Sequence, residues 1–133
     1  MHFTRTRFAL GIYIACFSIG VVSHAADFLS RGWRPSAFGP PAIEAFWTSL
    51  VALDALVITL IIAGWRRCAL LFAAVVMVTD VSANAFASFA LRIPGFDLAL
   101  ILQAAFLGFV LGLLPFLWPN KLPSAVGGQD NNK

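Results

Sequence analysis

Four apolar stretches, each close to the roughly 20 residues that a helix needs to cross a bilayer, dominate this chain and restrict what it can fold into. They cover about residues 8–26, 43–64, 68–91 and 97–118. In lipid every backbone polar group must find its partner within the protein, so such stretches form helices. Only 11% of the residues are charged and the mean hydropathy is +0.87. A soluble domain carries about 25% charged residues, so water is the wrong solvent for this surface. The expected fold class is all-α: a four-helix transmembrane bundle in a single membrane domain over residues 1–118. The spans and their short loops leave no room for a soluble domain. A polar tail over residues 119–133 is expected to be disordered.

The breaks between spans carry turn chemistry: Gly39-Pro40-Pro41, then Trp65-Arg66-Arg67, then Pro94-Gly95. Pro41 suits the first turn of a helix, where its missing N–H is no loss. Glu44 and Asp97 stand near helix N-termini, where negative charge is favoured. Orientation follows from the basic residues. With the N-terminus inside, Arg5, Arg7, Arg66, Arg67, Lys121 and Lys133 lie on the inner side, against Arg31, Arg34 and Arg92 on the outer. Both termini are then cytoplasmic. Trp33 and Trp47 mark the outer interface, and Trp65 and Trp118 the inner one. A multi-pass protein of a bacterial inner membrane is the expected setting. The first span has a rival reading as a signal peptide. Arg5 and Arg7 precede an apolar core, and Ser23-His24-Ala25 resembles a cleavage site.

Against this background the polar residues stand out. Asp54 and Asp80 each sit near the middle of an apolar run. A carboxylate at the bilayer centre costs roughly 3 kcal/mol, so it is expected to face protein or a cavity. Counting the helix rise, Asp54 lies roughly 14 Å below the outer end of its span, and Asp80 reaches a similar depth on the next, antiparallel span. The two carboxylates are expected to meet, directly or through water, with one of them holding a proton. Asn84 lies one turn above Asp80, at i+4. His24 and Asp27 share a face of the first helix, a stripe that Tyr13, Cys16 and Gly20 continue inward. Gln103 lies in the outer third of the fourth span, and Trp47 lies nearly over Asp54. Thr79 and Ser82 flank Asp80 as weaker candidates.

Each feature also has a plain structural explanation. The acids could share a proton that merely fixes helix register, and Asn84 and Gln103 could be interhelical glue. His24 could be a solvated interfacial histidine. Asp27 and Glu44 could be interfacial charges paired with Arg31 or Arg34, at little gain. Gly108 and Gly112 form a GxxxG that serves either close packing within the bundle or a homo-oligomer. Cys16 and Cys68 have neither a disulfide framework nor metal-ligand spacing. No phosphate loop, dinucleotide fingerprint or zinc-protease motif occurs. Neither a metal nor a cofactor is expected, and the scattered basic residues give no nucleic-acid patch.

The second span begins Ala45-Phe46-Trp47-Thr48-Ser49-Leu50 and then carries Asp54. In this it resembles the EXPERA-type membrane proteins, which include sterol isomerases and sigma-2-like ligand-binding members. Asp27 and Asp54 occupy the matching positions. The resemblance covers about half the chain and rests on short motifs. The first loop here is much shorter, and Asp80 and Asn84 have no counterpart. It implies a hydrophobic amine or sterol-like ligand held against the acids.

The resulting expectation is an outward-facing acidic pocket within the membrane, formed by Asp54, Asp80, Asn84, His24, Gln103, Trp47 and Asp27. It would bind or modify an amphipathic, hydrophobic or cationic small molecule; no reaction follows from the residues. Two other classes compete: an oligomeric proton-coupled transporter subunit, and a structural or accessory subunit of a membrane complex.

Overall fold

The computed structural model describes residues 2–36 and 39–119, of which His2 and Phe3 are described by backbone alone. The tail from residue 120, expected to be disordered, lies outside the described residues. The fold is four helices: α1 His2–Arg31, α2 Pro41–Ile62, α3 Arg66–Ala85 and α4 Asp97–Leu117. A π-turn, Phe86–Ala90, extends α3. All four helices are long and apolar enough to cross a membrane.

The boundaries differ from the apolar stretches for local reasons. Helix α1 starts before residue 8 and runs past residue 26, because nothing breaks it until Gly32, whose φ of 81° ends it in the left-handed region. Pro41 opens α2 as its first residue. A turn at Gly64, φ 79°, reverses the chain so tightly that α3 already begins at Arg66.

Each helix buries one narrow stripe. On α2 it is Glu44, Trp47, Leu50, Asp54 and Val57. On α3 it is Ala69, Leu70, Ala73, Val76, Met77, Asp80 and Asn84, with Ala87 continuing it in the π-turn. On α1, Ala9, Tyr13 and Phe17 are buried, and on α4, Val110 and Leu117. These steps of three and four residues keep one face of each helix turned inward. Successive helices are neighbours in space. The seam between the first and last is bridged by aromatic side chains. Tyr13 meets Phe106 edge-on with centroids 6.1 Å apart, and Phe17 meets Phe106 at 5.5 Å. The Tyr13 hydroxyl donates to the Val110 carbonyl at 3.0 Å.

The outer surface is as apolar as the interior. Phe8, Ile19, Leu29, Ile62, Phe89, Leu98, Ile101 and Phe116 are all more than half exposed. Only 11% of the apolar window of α4 is buried. A monomeric soluble protein rarely leaves an apolar patch of more than a few hundred Å² open to water, so this surface fits a lipid environment. The polar residues on it hide their hydroxyls. Thr59, Thr79 and Ser82 each bond back to the carbonyl four residues earlier, at 2.7–2.9 Å.

Candidate functional site

The polar side chains of the four stripes gather in one half of the bundle, the half that holds the end of α1. Their centre is Asn84, not an acid. The Trp47 indole Nε1 donates to Asn84 Oδ1 at 2.8 Å. Indole is a donor only, which fixes the orientation of the Asn84 amide. Asn84 Nδ2 then donates to Asp80 Oδ1 at 3.2 Å, one turn back on α3, and to Gln103 Oε1 on α4 at 2.5 Å. A single amide thereby ties α2, α3 and α4 together. Trp47 is itself seated by stacking on Phe96, with centroids 5.1 Å apart, and by Gly39, where a Cβ would stand 2.9 Å from the indole ring. Trp47 is therefore not a marker of the interface, as its position near the start of the span suggested. It is 6% exposed and belongs to the core, whereas Trp33 and Trp65 lie open at 87% and 65%.

Asp54 stands apart from this network. No hydrogen bond joins it to Asp80, as two carboxylates offer each other only acceptors. It turns instead toward α1. Gly20 lies so close that a Cβ there would occupy the position of Asp54 Oδ2 and stand 3.2 Å from Cγ. His24 Nε2 lies 3.8 Å from the same oxygen, too far for a hydrogen bond. Among the described residues no side chain or backbone group donates to Asp54. Its side chain is 8% exposed and that of His24 is 23% exposed. Among the described residues, no fully buried side-chain oxygen or nitrogen lacks a partner. The unbonded Asp54 oxygens therefore still touch the surroundings of the protein.

The remaining expected site residue, Asp27, lies outside the network. Its carboxylate is 44% exposed and faces Arg31 at 3.8 Å. Glu44 has the expected arginine partner, Arg34, but is buried at 7% exposed and not an open interfacial charge. Arg34 reaches it from the loop between α1 and α2 with both Nε and Nη2, at 2.6 and 2.7 Å. That fork-to-carboxylate geometry raises the Arg34 guanidinium above its ordinary pKa through the hydrogen bonds to Glu44. Gly108 and Gly112 do not serve close packing within the bundle, because a Cβ at either would meet nothing within 4 Å.

Polar buried side chains cluster toward one end of the bundle and apolar ones toward the other. Below the network, Val57, Leu70, Ala73 and Val110 are completely buried. Two open spaces lie at opposite ends of the bundle. One, of about 510 Å³, is bordered by Trp33, Arg34, Pro41, Glu44, Ala45 and Thr48. The other, of about 430 Å³, lies beside the turn between α2 and α3. Neither is lined by Asp54 or Asp80. No group of three or more potential metal-ligating side chains occurs among the described residues. Comparison with protein-family models, with curated proteins and with solved structures finds no match.

Proposed function

We propose that this chain is a four-span membrane protein with both termini in the cytoplasm, and that it binds an amphipathic small molecule through Asp54, with His24 beside it. The host bilayer in this proposal is a bacterial plasma membrane. The observation that carries it is the unmet acceptor capacity of Asp54. The carboxylate sits among apolar helices, receives no hydrogen bond from the described residues, and remains in contact with the surroundings. An ionised carboxylate in that position favours a cationic amine or a hydroxyl from outside. A ligand with an apolar body and one such donor satisfies both the acid and the surface around it, and the hydrophobic amine implied by the EXPERA-like motif has that chemistry.

Asp80 plays a different part. Its Oδ1 is engaged by Asn84, and Asn84 in turn has used both of its amide hydrogens and its oxygen. This half of the constellation supports a structural role in fixing the register of α2, α3 and α4. A proton-coupled transporter has less support. Beneath the network the one polar side chain among the described buried residues is Tyr13, and its hydroxyl is already bonded to Val110.

The test is native mass spectrometry of the full chain purified in mild detergent, followed by titration with a hydrophobic tertiary amine. Asp54→Asn keeps the size of the side chain and removes its charge. A hydrogen bond to a charged group contributes about 1.5–3 kcal/mol, so the variant is expected to bind the amine roughly ten- to a hundredfold more weakly. Asp80→Asn, whose amide oxygen can still accept from Asn84, is expected to bind as the natural chain does. Equal amine binding by Asp54→Asn and the natural chain overturns the proposal.

A further inference from the structure

The cavity beside the turn between α2 and α3 lies at the opposite end of the bundle from Asn84, which is 18 residues, roughly 27 Å, along α3 from Arg66. It is lined by Leu10, Ile61, Gly64, Trp65, Arg66, Arg67, Cys68 and Pro119, and therefore by two cations and no acid. Arg67 is held in place. Its Nη2 donates to the Pro119 carbonyl at 2.8 Å, and its guanidinium lies over the Trp118 ring, 5.8 Å from the centroid. Arg66 makes no ion pair and no side-chain hydrogen bond with any described residue. No side chain caps the start of α3, so the first N–H groups of that helix add to the positive field.

From this arrangement we infer that the cavity binds the phosphate of an anionic phospholipid from the adjacent leaflet. Two guanidinium groups match a phosphate in charge and in the spacing of its oxygens. Basic pockets between helices at the membrane surface recognise phospholipid headgroups for this reason. The apolar part of the lining decides between a lipid and a free phosphate. Leu10, Ile61 and Trp65 line the cavity, Trp65 is 65% exposed, and Ile62, next in the chain to Ile61, is 73% exposed. Acyl chains lie against such a surface, whereas a small hydrated anion gains nothing from it. This inference rests on the membrane setting proposed above, but not on the ligand proposed for Asp54.

The test uses the full chain in nanodiscs with equal amounts of phosphatidylglycerol and phosphatidylcholine, released into mild detergent for native mass spectrometry. The natural chain is expected to retain phosphatidylglycerol in preference. Arg66→Gln removes a cation that makes no ion pair and no side-chain hydrogen bond with a described residue, so its fold is not expected to suffer. The preference should fall about fivefold, the equivalent of roughly 1 kcal/mol per cation at a membrane surface. Arg92→Gln, at the other end of the bundle, should leave the preference unchanged. Equal retention of the two lipids by the natural chain overturns the inference, and so does a loss of equal size in Arg92→Gln. A thermal shift with millimolar inorganic phosphate that matches the one with phosphatidylglycerol, and that Arg66→Gln abolishes, overturns the lipid source. Asp54→Asn should retain phosphatidylglycerol normally, so failure of the amine site leaves this outcome readable. Removal of the chain from membranes by a carbonate wash would defeat the membrane setting separately.

Discussion

Replacing Asn84 gives the most direct measure of what holds this bundle together. Its amide makes hydrogen bonds to Trp47 on α2, Gln103 on α4 and Asp80 on its own helix. Between membrane helices such bonds average about 0.6 kcal/mol and reach about 1.7 kcal/mol. All three together therefore contribute about 2 kcal/mol at the average, and about 5 kcal/mol at the upper limit. The higher part of that range is favoured here, because Asn84 is 4% exposed and Trp47 is 6% exposed. The stranded indole N–H then has no water to turn to, and an unmet buried donor costs about 1–3 kcal/mol. Asn84→Leu keeps the volume of the side chain and removes all three bonds, so its effect isolates the hydrogen bonds from packing. It is expected to lower unfolding free energy by about 2–4 kcal/mol. Asn84→Ala should cost about as much or slightly more, because it adds a small cavity.

The assay is equilibrium unfolding in mixed micelles, followed by far-ultraviolet circular dichroism, with the near-ultraviolet signal of the tryptophans as a second probe. The signal of Trp47 should change in both variants even where helix content does not, since its indole loses its partner. An Asn84→Leu variant within 0.5 kcal/mol of the natural chain would refute the reasoning. It would mean that apolar packing, not the amide, fixes the relative positions of α2, α3 and α4.

Three further outcomes are expected. Reporter fusions after Lys121 and between Arg66 and Cys68 should read as cytoplasmic and one near Ser36 as external; a C-terminus on the outside contradicts the charge asymmetry. Gly20→Ala should cost about 1–3 kcal/mol, because its Cβ takes the place of Asp54 Oδ2, and most of that cost should vanish in an Asp54→Ala background; equal costs in both backgrounds show that the two residues are not in contact. Tyr13→Phe should lose about 1 kcal/mol with the bond to Val110, whereas Tyr13→Ala should lose about 3–5 kcal/mol by opening the seam between α1 and α4; unfolding free energies of the pair that differ by less than 1 kcal/mol speak against an aromatic seam.

How much of this was legible in the sequence depended on which physical quantity carried the information. The number of helices was readable because hydropathy summed over about 20 residues is a large signal. The relation of Asp80 to Asn84 was readable because a spacing of four residues fixes which side chains share a helix face. Trp47 was misplaced because two rules competed. Tryptophans near span ends favour the interface, but Trp47 lies three residues from Glu44 and from Leu50 and seven from Asp54, all of which turn inward, and the rotation of α2 decided its fate. The pairing of Glu44 with Arg34 was readable from charge alone, whereas the burial of Glu44 on the inward stripe of α2 depended on helix rotation. The Gly20 contact was invisible for a related reason. Depth along two helices can be counted from sequence, but which neighbour a side chain leans toward depends on helix rotation and on which neighbour is small.

That last point bears on why Asp54 leans toward α1. Around Asn84 stand a donor-only indole, a carboxylate that accepts, and the oxygen of Gln103, also an acceptor. One side chain must accept once and donate twice in fixed directions, and a primary amide does this. An aspartate at position 84 would place a second acceptor against both Asp80 and Gln103, so Asn84→Asp should be at least as damaging as Asn84→Leu. With both amide hydrogens of Asn84 directed to Asp80 and Gln103, Asn84 has no donor left for Asp54. The carboxylate is left to the glycine gap on α1, beside a histidine too distant to bond it. The same hydrogen-bond arithmetic that engages Asp80 therefore leaves Asp54 as an acceptor with no donor among the described residues.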